Sequence, residues 1–536
     1  MVKLLKSLRS NLDSWSTMTI VLTLAIISPI FLIFKGILLP SNEIFEHIKN
    51  TVLNEYLYNT VIIAMGVTII TAILGVSLAW FVSVYEFPCR RLFSISLILP
   101  LTIPSYIAGY IYSDMFSFTG SISRILSKLG INLRIDILNI YGVIIVFSLF
   151  FYPYVFIIMK GYFNKSSKNM IEASRSLGKT LPETFFKVIL PLSRVAIISG
   201  VSLVLMEVLN AYGLVSYFGV NTFSIGIFRA WLSLGDLTSA LKLSAILVIF
   251  IFGILYIESK SRGHKKYTIS TKSKPLKTIK LKGYKCIVVF TYCMIILLFS
   301  FIIPILQLLY WTKLSYLHFD YFELLGVFKN SLGITVVACF IIVTVSIIIA
   351  NTMRLKKDMI FLAKIVNMGY SIPGAVIAVG VMTIFIFLDQ NLKGVYTSLG
   401  IDKSLVLSSS YLILIFAYLV RFLAVSYSNI DSNFKKIGTK FHQVSRTFGF
   451  GITRTFFKVD LPMIKPAIFS SFILVFIEIT KELPLTLILR PFNFNTLATL
   501  VQQYANDEMI QESSIPSLII IGMCSIAVLI FSRKEK

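Results

Sequence analysis

Charge is scarce in this chain. Asp, Glu, Lys and Arg make up 14% of its 536 residues, against about 25% in soluble globular proteins. Acids are the scarcer sign, with 25 Asp and Glu against 50 Lys and Arg. Apolar residues reach 56% and the mean hydropathy is +0.84. A set of water-soluble domains is thereby excluded, because so much apolar surface cannot be hidden from water. Disorder is excluded by the abundance of Phe, Ile and Leu. Cysteine is sparse: Cys89, Cys286, Cys293, Cys339 and Cys524 form no CxxC pair, which argues against a disulfide framework or a thiolate metal site. His47, His264, His318 and His442 stand apart, and no HExxH occurs. A phosphate-cradling loop is missing as well. Gly178-Lys179-Thr180 has the ending of one, but the glycine required five residues before Gly178 is Ala173.

What is present is a series of long apolar runs. A membrane-crossing helix needs about 20 mostly apolar residues. Twelve stretches qualify, near 18–39, 59–84, 94–112, 140–160, 196–217 and 240–258, then 286–309, 331–353, 365–388, 405–420, 465–488 and 514–532. They must be helical, since lipid cannot satisfy an open strand edge. The fold class expected is an all-α polytopic membrane protein. Lys3, Lys6 and Arg9 precede a first run too long for a signal-peptide core, with no A-x-A site after it, so the run reads as a retained helix.

The basic excess has two readings, nucleic acid or membrane topology. With the N-terminus placed inside, the cytoplasmic segments hold 36 Lys/Arg and 9 Asp/Glu, and the outer segments 10 and 13. That asymmetry is the positive-inside rule. It places both termini in the cytoplasm and removes the need for a nucleic-acid partner. The densest stretch, 259–285, carries ten Lys/Arg and no acid. It reads as an inner-face linker between a first unit, 1–258, and a second, 286–536.

The two units are copies. At an offset of 271 residues, Thr184-Phe185-Phe186-Lys187-Val188 recurs as Thr455-Phe456-Phe457-Lys458-Val459, and Leu190-Pro191 as Leu461-Pro462. Ser174-Arg175 recurs as Ser445-Arg446, Gly178 as Gly449, Asn59 as Asn330 and Glu207 as Glu478. Ile103-Pro104 matches Ile372-Pro373 with a two-residue slip. Six helices separate the copies, so both lie the same way across the bilayer, as a parallel repeat with an axis along the membrane normal. Such a pair can enclose a central pathway.

Two long inner loops, 161–194 and 426–464, carry the repeated motif. In the first, Glu172-Ala173-Ser174 is followed by Gly178 and, after nine residues, by Val188-Ile189-Leu190-Pro191. The pattern predicts a short helix, a glycine turn and a second short helix ending at a proline. This spacing resembles the EAA loop of bacterial ABC-transporter permeases. There the loop is the coupling helix that docks on an ATPase subunit. The resemblance assigns coupling to Glu172, Ala173, Gly178, Leu190 and Pro191, and to Gly449, Leu461 and Pro462 in the second copy. The second copy departs from the pattern, with Gln443 and Val444 where Glu and Ala are expected.

Glu207-Val208-Leu209-Asn210-Ala211-Tyr212-Gly213 and Lys481-Glu482-Leu483-Pro484, with Leu489-Arg490-Pro491-Phe492 beyond, resemble the fused ferric-iron (FbpB-type) permeases. That family implies two tandem six-helix repeats of the type I ABC importer (MetI-like) fold in a bacterial inner membrane. It implies no cofactor in this chain, ATP and Mg bound by two copies of a separate ATPase, and a periplasmic or lipid-anchored iron-binding protein. Fused thiamine permeases share the length and duplication and remain the alternative. An ion-gradient-driven transporter would explain twelve spans but not the two loops. No nucleophile–base set or metal-ligand cluster suggests an enzyme.

Charges inside apolar spans are costly and face a cavity or one another. Glu207, Glu478 and Glu482 are candidates to line the path, with Tyr212 as a further one. Ferric iron is a hard cation suited to oxygen ligands, and conduction requires weak sites. No tight metal site is therefore expected, only transient contact at Glu207 and Glu478. The opposing reading is that Lys481, near both Glu478 and Glu482 on one helix, simply pairs with one of them. Tyr212 and Tyr217 also fit an interfacial aromatic belt.

Overall fold

The computed structural model describes residues 13–128, 130, 135–262, 278–317, 319–400, 403 and 405–534. The centre of the basic linker, with His264, and also His318 and the N-terminal Lys3, Lys6 and Arg9 lie outside them. Among the described residues, nine helices are long and apolar enough to cross a membrane. Three bent helix pairs raise the number to as many as twelve.

The twelve principal helices follow the twelve apolar runs. In the first half they are α1 (Ser14–Ile37), α2 (Leu53–Val84), α3 (Ser105–Phe116), α4 (Ile140–Ser176), α5 (Arg194–Asn210) and α6 (Leu237–Arg262). In the second they are α7 (Tyr284–Ser315, with a π-helical turn at Leu298–Ile302), α8 (Tyr321–Leu355), α9 (Gly374–Ser398), α10 (Tyr411–Ile437), α11 (Lys465–Thr480) and α12 (Ser514–Lys534). The repeat is visible in the ends: α2 stops at Val84 and α8 at the equivalent Leu355. Small residues let α2, α4 and α5 cross closely. A Cβ on Gly75 would lie 2.6 Å from the Cβ of Val155, the close approach that small residues permit in membrane bundles.

Several runs that read as single spans are broken. The third is divided at Pro104, where Arg90–Thr102 meets Ser105–Ile125 at 91°. A residue before proline avoids the helical region, and Ile103 is extended, at φ −92° and ψ 112°. Ile372 before Pro373 is extended in the same way, at φ −97° and ψ 130°, which starts α9 afresh at Gly374. The fifth run stops at Asn210 because Ala211 is extended. The eleventh stops at Thr480 and resumes as Pro484–Leu489.

The repeats in sequence are not separate packing units. One core combines residues of α2, α3 and α4 with residues of α7 and α12. The other combines α8, α9 and α10 with α1 and α6. Each half thus gives its first and last helices to the other. On one side Thr19 of α1 donates to Thr352 of α8 at 2.9 Å, and Lys356 meets Asp13 at 2.9 Å. On the other, the hydroxyls of Tyr292 in α7 and Ser77 in α2 lie 2.7 Å apart. A parallel two-residue ladder, β1 (Tyr85–Glu86) with β2 (Ile279–Lys280), ties the end of the linker to the loop after α2.

Candidate functional site

Three of the chain breaks line one cavity of about 60 Å³. Its wall includes Leu101, Ile103–Tyr106, Asn210–Gly213 and Lys481–Pro484, with Tyr154, Glu207, Arg421 and Glu478. Gly374, at the start of α9, joins the fourth break to this arrangement by donating its N–H to the Asn210 side-chain oxygen Oδ1 at 2.7 Å. Irregular backbone deep in an apolar bundle is tolerated where it lines such a cavity. Paired discontinuous helices at matching places in two halves are the usual scaffold of a substrate site in transporters.

The expected acids all reach this cavity. Glu207 ends α5 and Glu478 ends α11, so duplication places them at corresponding positions. Glu478 is paired within its own helix by Lys481 Nζ at 3.0 Å. Glu482 is not the partner of Lys481. Its Oε2 lies 3.5 Å from an Arg421 guanidinium nitrogen, and its Oε1 accepts the Leu485 N–H at 3.1 Å. Glu207 has no ion pair among the described residues; it accepts from the Tyr370 hydroxyl at 3.2 Å. Tyr212 sits on the cavity wall and stacks on Phe228, with ring centroids 3.7 Å apart.

Arg421 is the residue that sequence reasoning misplaced. The tenth apolar run was expected to end at 420, which left Arg421 among the inner-face charges. The structure carries α10 on to Ile437 and buries Arg421 at its middle. Besides Glu482 it bonds the Asn210 Oδ1 at 2.7 Å. One guanidinium therefore joins α10, α5 and the start of the Pro484 segment. The signal was available: an Arg among apolar neighbours that themselves continue past it, Phe422-Leu423-Ala424-Val425.

The two repeated loops fold alike. In the first, α4 runs unbroken to Ser176, so the separate short helix expected before Gly178 is the end of α4 itself. In the second, α10 stops at Gly438 and a separate helix, Lys440–Thr447, follows. Ser167 stands in the first copy where Gly438 stands in the second. Gly178 and Gly449 turn the chain at φ +78° and +82°, values that cost an L side chain strain. A capping box of Thr180 and Glu183 then starts Leu181–Thr184, and Ile452–Thr455 is its counterpart. Each passes through a π-helical turn, Phe185–Ile189 or Phe456–Asp460, into a short helix with Pro191 or Pro462 in its first turn. Bends of 68° and 71° then lead into α5 and α11.

Leu190 and Leu461 are half-buried at the roots of these projections. Glu172, Ala173, Gly178, Pro191, Gly449 and Pro462 are exposed. The loops also expose two matched apolar pairs, Phe186 with Phe457, already seen in the repeat, and Leu177 with Phe448, which sequence reading passed over, all more than half exposed. Their equivalence at the 271-residue offset was the signal. A buried cluster fixes the second loop. Arg354 of α8 donates twice to Asp460 at 3.1 Å, and His442 Nδ1 lies 2.6 Å from the other Asp460 oxygen.

A duplicated helical bundle with a charged internal cavity and two matching projections defines a membrane translocator built from two fused permease units. The chain belongs to the family described as the binding-protein-dependent transport system inner membrane component, which matches it twice, over residues 71–259 and 342–533. It is a fused ABC permease of the MetI-like fold and a multi-pass inner-membrane protein, and its relatives are transport permeases. It is 24% identical to the Fe(3+)-transport system permease protein FbpB 2 of Haemophilus influenzae, over 97% of this chain and 98% of the relative. It is 27% identical to a probable sulfate transport system permease protein cysT of Chlorokybus atmophyticus, over 37% of this chain and 72% of the relative. The match to the sulfate transport system permease protein CysT of Escherichia coli is also 27%, over 30% of this chain and 57% of the relative.

Proposed function

We propose that this permease moves ferric iron inward across a bacterial inner membrane. The observation that carries the reading is the collinear match to a ferric-iron permease along 97% of the chain and 98% of that relative, whereas the matched sulfate permeases each cover between 28% and 44% of the chain. The cavity chemistry supports a cation. Glu207, Glu478 and Glu482 outnumber Lys481 and Arg421, and each of those bases is paired with an acid. A sulfate path would require donors free to receive an oxyanion.

In this reading an exported iron-binding protein delivers the ion to the outer face. Both termini and both repeated loops face the cytoplasm. Two copies of an ATPase dock there, one on each loop, and bind the ATP and Mg. Glu172, Ala173, Gly178, Leu190 and Pro191 shape the first docking element, and Gly449, Leu461 and Pro462 the second. The exposed Leu177, Phe186, Phe448 and Phe457 give each projection an apolar tip for a groove on the ATPase. Glu207 and Glu478 bring matched carboxylates to the path wall, Glu482 braces the wall through Arg421, and Tyr212 is part of the wall.

The test is reconstitution of the permease with its ATPase and binding protein in proteoliposomes. ATP-dependent uptake of radiolabelled ferric iron is compared with that of thiamine and sulfate. Iron uptake that needs ATP and the binding protein is the expected result. Uptake of thiamine or sulfate in its place overturns the reading. Loss of uptake on collapse of the proton gradient alone would indicate a secondary transporter.

A further inference from the structure

The duplication makes Glu207 and Glu478 equivalent in sequence, but their surroundings are not equivalent. At the 271-residue offset Lys481 stands where the first half has Asn210, and Glu482 where it has Ala211. Arg421 stands where it has Phe150. Every charge-neutralising residue of the cavity therefore belongs to the second half. Lys481 occupies Glu478 at 3.0 Å, and Arg421 occupies Glu482. Glu207 alone has no cation within ion-pair reach among the described residues, and it is surrounded by phenols. Tyr370 donates to it at 3.2 Å, and Tyr154 stands beside it on the cavity wall.

We infer that the iron path is one-sided: Glu207, with the phenol of Tyr154, is the transit contact for the ferric ion, and the Glu478–Lys481 pair is a structural brace. This rests on the ferric-iron reading above. Carboxylate and phenol oxygens are hard ligands suited to a hard trivalent cation. Among the described residues no three His, Cys, Asp or Glu side chains converge as a metal site. Brief contact is what a path requires, because it must release its ion. Tyr370 is a positioning residue, holding the Glu207 carboxylate at the wall.

The experiment uses the complete reconstituted importer with iron-loaded binding protein, and measures iron uptake and ATP hydrolysis separately. Glu207→Gln is expected to lower iron uptake roughly ten- to hundredfold while binding-protein-stimulated ATP hydrolysis persists. Glu207→Asp is expected to recover part of the uptake. Glu478→Gln combined with Lys481→Gln removes the opposite carboxylate and its partner together, and is expected to cost about tenfold less uptake than Glu207→Gln. Equal losses from the Glu207 variant and the paired variant overturn the one-sided path, as does full uptake by Glu207→Gln. A parent importer that carries no iron at all would instead overturn the ferric reading on which this rests.

Discussion

Changing Asp460 to Asn tests whether the second loop is held to α8 by charge. Asp460 is 1% exposed and Arg354 6%. The guanidinium sends two donors to one carboxylate oxygen, and His442 approaches the other. The Phe434 ring covers the guanidinium at 4.8 Å. Asn keeps the shape and removes the counter-charge, so Arg354 is left buried without its partner. Breaking one side of a buried pair costs about 3–5 kcal/mol. The first half shows that the same junction works without ions, because Ile171 and Ile189 stand buried where His442 and Asp460 stand. Arg354→Met with His442→Ile and Asp460→Ile should therefore be far milder, within about 1 kcal/mol of the parent or better, since an apolar replacement spares all the desolvation. The assay is the thermal unfolding midpoint of the detergent-purified importer, with hydrogen exchange over Lys440–Thr447 as the local readout. A triple variant as unstable as Asp460→Asn, or Asp460→Asn indistinguishable from the parent, would refute the reasoning.

Gly178→Ala and Gly449→Ala should each cost about 1–2 kcal/mol in their turns, because both residues have positive φ and a Cβ there would meet nothing within 4 Å. The expected readout is weaker co-purification of the ATPase; binding equal to the parent's would remove the turn from the docking account. Arg421→Met should leave Glu482 buried and unpaired at about 3–5 kcal/mol, with most of the stability regained when Glu482→Gln is added. A double variant no more stable than Arg421→Met alone would show that the arginine acts through something other than this pair. Asp236, in the loop before α6, responds to acid. Burial pushes its carboxyl up, but hydrogen bonds from Ser239 and Asn42 outweigh this and hold it below its ordinary 3.8. A depressed folded value means the contribution is complete above the unfolded value and lost only as pH falls through the folded one. Hydrogen exchange at the start of α6, corrected for intrinsic rates, should stay protected down to about pH 4 and loosen below it; loosening between pH 5 and 6 would contradict the sign.

Much of the architecture was legible because membrane helices declare themselves locally. A run of some 20 apolar residues has no other way to satisfy its backbone in lipid. The breaks at Pro104 and Pro373 lay inside runs read as single spans, although each has a local cause in the restriction proline places on the residue before it. The stop after Asn210 has no such local cause, since Ala211 is a good helix former and only the assembled cavity favours its extended conformation. Arg421 was misplaced because a hydropathy window ends at a charge, whereas a bundle can bury that charge against Glu482 and Asn210. The exchange of α1 and α6 for α7 and α12 was invisible because the identity of a helix's neighbour is not written in its own periodicity. The Arg354–Asp460 contact joins residues 106 apart, and nothing in either segment points to the other.

Duplication alone would have produced two equal halves, and the differences lie where helices meet around the cavity and the loops. The second half has Arg421, Lys481 and Glu482 where the first has Phe150, Asn210 and Ala211, and His442 and Asp460 where the first has Ile171 and Ile189. Apolar packing gives little net attraction between helices already surrounded by lipid, so ions and hydrogen bonds are the stronger local ties there. The same substitutions change the cavity. Each base added on the second side cancels an acid of that side, and none reaches ion-pair distance of Glu207. Rigidity on one side and an unpaired carboxylate on the other are therefore two results of one divergence. An importer whose halves were restored to symmetry by Lys481→Asn, Glu482→Ala and Arg421→Phe would present two unpaired carboxylates to its cargo, and should hold a trivalent ion longer and release it more slowly. Single-turnover release from the binding-protein-loaded complex measures this directly. Release as fast as the parent's would separate the charge asymmetry from transport.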